Sequence, residues 1–168
     1  MPLSMYQACV PPLVRTLGNL SAILDKAAAH AAAKGIDPSV FVGARLAPDM
    51  YPLSAQVQLA SDSAKGAAAR LAGLDVPSFA DTETTFGELR TRIARTLEFV
   101  SGVDAALIDG SEERPVTLKT RSGDRHFTGR DYLLHFVLPN VHFHVSMAYA
   151  ILRHNGVDIG KLDYLGRD

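Results

Sequence analysis

The residues best suited to chemistry in this 168-residue chain crowd into one stretch. Residues 133–156, LLHFVLPNVHFHVSMAYAILRHNG, hold four of its six histidines: His135, His142, His144 and His154. Imidazole titrates near neutrality, moves protons and binds metals, so the cluster poses a choice between a metal or catalytic site and ordinary helical packing. Helix geometry narrows that choice. Each residue turns an α-helix by about 100°, which puts Leu134, Leu138, Val141, Val145, Ala148 and Leu152 on one stripe, the expected core seam. Asp131, His135 and His142 line one flank of it, with Tyr149 a turn beyond, and Asn140 and His144 line the other. His142 and His144 fall about 200° apart, so one straight helix cannot offer both to a single ion. The run holds at least two separate sites or none.

Pro139 interrupts the same stretch. It has no N–H for the carbonyl of His135 and its ring crowds that carbonyl, so a kink is expected there. The freed carbonyl needs water, a side chain or a ligand. A kink flanked by His135, Asn140 and His142 is a candidate small-molecule pocket, against the plainer reading of His135 and His142 as packing residues. Asp131 and His135, four apart, could clamp a metal or orient an imidazole. The preferred reading is that Asp131 caps the helix and favours its N-terminus. His154 suits a helix C-terminus, and His30 and His126 read as surface.

Four long helical patterns position these groups. The first carries Leu13, Leu17, Leu20 and Leu24 at buried-face spacing, with Pro11 and Pro12 expected to start or kink it and Gly35 to stop it. Asp37 and Pro38 open a short helix. The second long helix has the inward stripe Leu53, Val57, Ala60, Ala64, Ala67 and Leu71. Gln56 lies close to that stripe and is the side chain expected to reach an interior cavity, whereas Gln58, Ser61 and Lys65 share a face read as solvated. Thr85 and Glu88 have capping-box spacing for a third helix, with Leu89, Ile93, Leu97 and Val100 inward and Gly102 at its end. Two β-prone runs around Ser-Gly-Asp predict a hairpin from about Val116 to Thr128. Asp131 is expected to open the fourth helix, ending near Asn155 and Gly156 before an irregular tail. With no repeat and no domain boundary, one domain over residues 1–168 is the simplest account: an all-α four-helix bundle with a small hairpin before its last helix.

Bulk properties exclude several classes. Seventeen Lys and Arg against eighteen Asp and Glu give a formal net charge of −1, which argues against nucleic acid as a partner. The lone Cys9 cannot close an intramolecular disulfide and reads as a packing thiol in a reducing cytoplasm. The N-terminus lacks a signal-peptide pattern and no run suits a membrane span. Nucleophile-elbow, Cys-x-x-Cys, His-Glu-x-x-His and phosphate-loop motifs are missing.

The strings LSMYQACVPPLVRTLGNLSAILDKA, RLAPDMYPLSAQVQLASDSAKGAAARLAG, DTETTFGELRTRI, FTGRDYLLHFVLPNVHFHVSMAYAILRHNGV and GKLDYLG together resemble an uncharacterised, mainly bacterial family, the domain-of-unknown-function family numbered nineteen ninety-three. That family looks like a branch of the DinB/YfiT-like superfamily of four-helix bundles. The resemblance implies a DinB-like bundle, often dimeric, whose relatives include divalent-metal-dependent enzymes: thiol-dependent transferases and an isomerase. Their metal site takes one histidine from the second helix and a His-x-x-x-His pair from the fourth. In this chain the pair falls at Asn140 and His144, and the second helix has no histidine. Two of three ligands are absent, and carboxamides are poor substitutes for a transition metal, so no cofactor is expected.

The resulting expectation is a cytoplasmic homodimer that binds a small molecule in the bundle cavity near the Pro139 kink. His144 would be the acid–base group, and Gln56, His135, Asn140, His142 and Tyr149 would bind the ligand, with Tyr132 and Phe136 as walls. Two other readings compete. One is a non-catalytic dimeric scaffold or stress accessory. The other is a DinB-type metal-dependent transferase with an altered ligand set, revived if the kink gathers Asp131, His135 and His142 with Asp62.

Overall fold

A computed structural model describes residues 2–120 and 122–166, and among them four long helical segments dominate. Helix α1 (Met5–Lys34) starts at a capping box in which the Ser4 hydroxyl accepts from the Gln7 amide at 3.3 Å and the Gln7 side chain accepts from the Ser4 amide at 3.2 Å. The prolines therefore do not start the helix: Pro11 and Pro12 lie inside it. Leu13, Leu17, Leu20 and Leu24 are buried as the spacing predicts, and Gly35 ends the helix at φ 63°, a left-handed conformation that glycine adopts without a Cβ penalty. Asp37 caps the short α2 (Pro38–Val42).

Helix α3 (Leu53–Ala72) buries its whole expected stripe, and its small side chains let neighbours come close. Helix α4 (Phe86–Gly102) has the capping box expected of Thr85 and Glu88. After the one-turn α5 (Ala105–Ile108), strands β1 (Pro115–Thr120) and β2 (Gly123–Thr128) pair antiparallel from Pro115↔Thr128 to Thr120↔Gly123. Helix α3 packs chiefly on the last long helix and on α4, and α1 packs on α4. No helix among the described residues is long and apolar enough to cross a membrane.

The last long segment departs from expectation in register. It begins as α6 (Gly129–Asp131), capped by the Thr128 hydroxyl and not by Asp131, which sits in its first turn. A π-helical turn over Tyr132–Val137 follows, then α7 (Leu138–His154). In the π turn the Leu138 amide bonds five residues back, to the Leu133 carbonyl. A π turn holds about one residue more than an α turn, so everything before it rotates by one position relative to an unbroken α-helix. Leu133 and Val137 are consequently buried, while Leu134, expected in the seam, is 46% exposed. Pro139 sits at the start of α7, where its missing N–H disturbs the α pattern least. The tail is also more regular than expected, forming a short helix α8 (Lys161–Leu165) against α1.

Candidate functional site

The seam between α3 and α7 carries the histidine of interest. Gln56 is 1% exposed and its side chain is held at both ends. Its Nε2 donates to the Tyr51 carbonyl at 3.2 Å, which turns Oε1 towards His144 Nδ1 at 2.8 Å. A carboxamide oxygen only accepts, so Nδ1 carries the proton and Nε2 is left with a free lone pair. Burial holds the His144 pKa below its ordinary value. The ring is thus a neutral, oriented acceptor. Phe143, itself exposed, meets it edge-on at 5.3 Å, and the carbonyl that holds Gln56 belongs to the exposed Tyr51.

The other expected site residues do not join this pair. Asn140, four residues before His144, turns its Nδ2 onto the Phe136 carbonyl at 2.6 Å, a side chain stepping in where the helix changes pitch. His142 is exposed on the far flank, its Nδ1 3.3 Å from the Tyr164 hydroxyl, which also accepts from Ser146 at 3.2 Å. Tyr149 stands edge-on to Tyr164 and, with Ser146 and Lys161, lines a shallow pocket of about 180 Å³. His135 is exposed, 3.9 Å from Asp131. The angular separation of His142 and His144 is therefore expressed as two distinct neighbourhoods.

A metal triad does not fit the first of these. At the three places implied by the resemblance stand one imidazole and two carboxamides, and both amide side chains are engaged in other hydrogen bonds. Among the described residues no three His, Cys, Asp or Glu side chains gather closely enough to hold an ion. Asp62 is engaged elsewhere, 2.7 Å from both Arg92 Nη2 and Lys65 Nζ.

That engagement belongs to a polar core for which the sequence reading made no provision. Arg92 is 2% exposed and donates to Asp62, to Glu83 at 3.0 Å, to the Ala80 carbonyl at 3.1 Å and to Ser61 at 3.2 Å. Ser61 in turn meets Thr96 at 2.7 Å. Burial alone would raise the Glu83 carboxyl, but hydrogen bonds from Gln58 and Arg92 outweigh it and hold the group below its usual range. The expectation that Gln58, Ser61 and Lys65 form a solvated face is overturned: Ser61 and Lys65 are buried and Gln58 is half-buried. The loop before α4 folds over them, with Phe79 beneath Lys65, Arg92 and Arg95. One signal was available: Arg92 sits between Leu89 and Ile93 on the apolar side of α4. Cys9, by contrast, is the packing thiol expected, fully buried and pushed up to about 12 by burial.

The family described as Domain of unknown function (DUF1993) matches residues 5–165. The crystal structure of a DinB family member protein from Shewanella denitrificans is 40% identical in sequence. It superposes with a TM-score of 0.89, covering 97% of this chain and 92% of its own. No curated protein matches the chain.

Proposed function

The chain belongs to the Domain of unknown function (DUF1993) family on a DinB-like helical fold, and from that premise we propose that it binds a small molecule at the His144–Gln56 pair without a metal. The observation that carries this reading is the 2.8 Å contact from His144 Nδ1 to Gln56 Oε1. It fixes one tautomer and turns Nε2 into an acceptor for a ligand O–H or N–H. If chemistry follows binding, the same nitrogen is the general base. Phe143, exposed and edge-on to the imidazole, supplies an aromatic neighbour, which suits a hydroxyl carried on a ring.

The wider reading is one domain over residues 1–168, a DinB-type four-helix bundle working as a cytoplasmic homodimer. The buried, unpaired Cys9 supports a reducing compartment. Exposed Leu3 and Leu134, beside a groove lined by Met5, Ala8 and Leu133, support an apolar contact surface.

Phenol is a suitable probe. Titrated into isotopically labelled protein, it should shift the His144 ring resonances saturably, and His144→Ala should abolish binding with the fold retained. An unmoved His144 ring in the wild type would leave the dimeric scaffold as the better reading. Elemental analysis after incubation with zinc, nickel and manganese tests the metal-free claim, and near-stoichiometric retention would overturn it.

A further inference from the structure

An open cavity lies at the other end of the same seam. Gly66 and Arg70 are four apart on α3 and so share a face. A Cβ on Gly66 would stand 2.4 Å from Arg70 Nη1, so glycine is what lets the guanidinium lie back along its own helix. From there Nη1 donates to the Tyr132 hydroxyl at 3.0 Å. Tyr132 belongs to the π-helical turn, is 1% exposed, and stacks on Phe136 with centroids 5.8 Å apart and planes 17° apart. The end of β1 forms the far side. The result is a shallow, open cavity of about 230 Å³ whose lining includes Leu59, Arg70, Leu118, Lys119, Tyr132 and Phe136.

Its charge is not balanced from within. Among the described residues no carboxylate lies within ion-pair distance of Arg70 or Lys119. Asp62 also lines the cavity, but its carboxylate already serves Arg92 and Lys65. A third cation, Arg125, lies 5.2 Å from the Phe136 centroid. Arg70 is half-buried and commits one N–H to Tyr132, leaving the rest of its planar fork for an acceptor. Tyr132 accepts that bond with its oxygen, so its own hydrogen remains to be donated. Burial raises the Tyr132 pKa against the opposing pull of Arg70, so the phenol keeps that hydrogen at neutral pH.

An open guanidinium fork, an ammonium and a phenolic donor specify a carboxylate better than any neutral group. The size restricts the rest: this volume falls below the ~300–1,000 Å³ typical of sites for drug-sized molecules. π-Helical turns recur at functional sites, and this one delivers both Tyr132 and Phe136 to the same wall. We propose that this cavity is a binding site for a small aromatic carboxylate. Its carboxylate would rest on Arg70 and the Tyr132 hydroxyl, with its ring against Phe136. The site is independent of the His144 pair.

The test is an NMR titration of the full chain with benzoate, against benzamide as the neutral isostere and acetate as the charge without a ring. Benzoate should saturate at millimolar concentration, shift Tyr132 and Phe136 resonances, and bind at least about tenfold tighter than either control. Added salt should weaken it. Arg70→Gln should reduce affinity by about tenfold or more, and Arg70→Lys, which keeps the charge but loses the fork, by less. Should Arg70→Gln fail to fold, Arg70→Lys and Phe136→Leu decide the matter by circular dichroism and the same titration. Benzoate that binds no tighter than benzamide, shifts only the His144 region, or is indifferent to the folded Arg70 variants overturns the proposal.

Discussion

The two ends of the α3 seam solve the problem of a buried polar contact in opposite ways. At one end Gln56 and His144 form a neutral pair in which the amide is used up and one imidazole nitrogen is spare. At the other, fourteen residues or about 21 Å further along α3, Arg70 and Tyr132 form a charged contact with, among the described residues, no carboxylate at ion-pair distance from the guanidinium. A neutral pair costs little to bury once its hydrogen bonds are made, whereas an unbalanced guanidinium is tolerable only where water or an anion can reach it. The first end is therefore suited to accept a single hydrogen bond, the second to attract charge. The Arg92 cluster shows the third option: a buried cation surrounded by its own carboxylates has nothing left to offer a ligand.

The contrast depends on the π turn, and breaking that register should have the largest effect. Leu133→Ala, at a buried position, should cost about 2–5 kcal/mol in urea denaturation. Leu134→Ala, one residue on, should stay within about 0.5 kcal/mol. A larger cost at Leu134 than at Leu133 would mean that the segment is an unbroken α-helix with Leu134 in the seam.

A subtler change separates binding from stability at the charged end. Gly66→Ala should displace the Arg70 guanidinium and lose its bond to Tyr132, worth about 1 kcal/mol, while gaining about 1 kcal/mol of helix propensity. The melting temperature should hardly move while benzoate affinity falls. Retained affinity would show that the position of the guanidinium does not depend on Gly66.

The smallest effect belongs to the neutral end. The folded pKa of His144 lies below its unfolded value, so in the interval between them the unfolded chain binds more protons than the folded one. That contribution is complete above the unfolded pKa of about 6.5 and is lost as pH falls through the folded value. His144→Gln should flatten the stability profile over this interval in a series of thermal melts. A profile unchanged by the substitution would indicate an imidazole that titrates as freely as in the unfolded chain.

Much of the scaffold was legible because helices announce one face. The stripes of α1 and α3, the capping box of α4 and the hairpin follow from spacing and local hydrogen bonding alone. Part of the site was legible too: the rotation that separates His142 from His144 is a property of any helix, and Gln56 was marked by its closeness to an apolar stripe. What escaped were the features that required a second segment, and one local change of helical pitch. Ser61 and Lys65 are polar residues at exposed-looking positions until Phe79, Ala80 and Glu83 fold across them. Leu134 looks like core until its own helical turn takes in one extra residue.

The sequence by itself determined the buried stripes of α1 and α3, the capping box that starts α4, and that its clustered histidines could not converge. Local sterics and periodicity act within a few residues, so they are fully written in the chain. Only the tertiary structure decided that Gln56 meets His144, that Arg70 meets Tyr132, and that Arg92 is enclosed by carboxylates. Those contacts join residues up to 88 positions apart, and even Glu83, nine from Arg92, reaches it through a loop. Their strength is set by the water excluded when distant elements pack, and no local pattern records that.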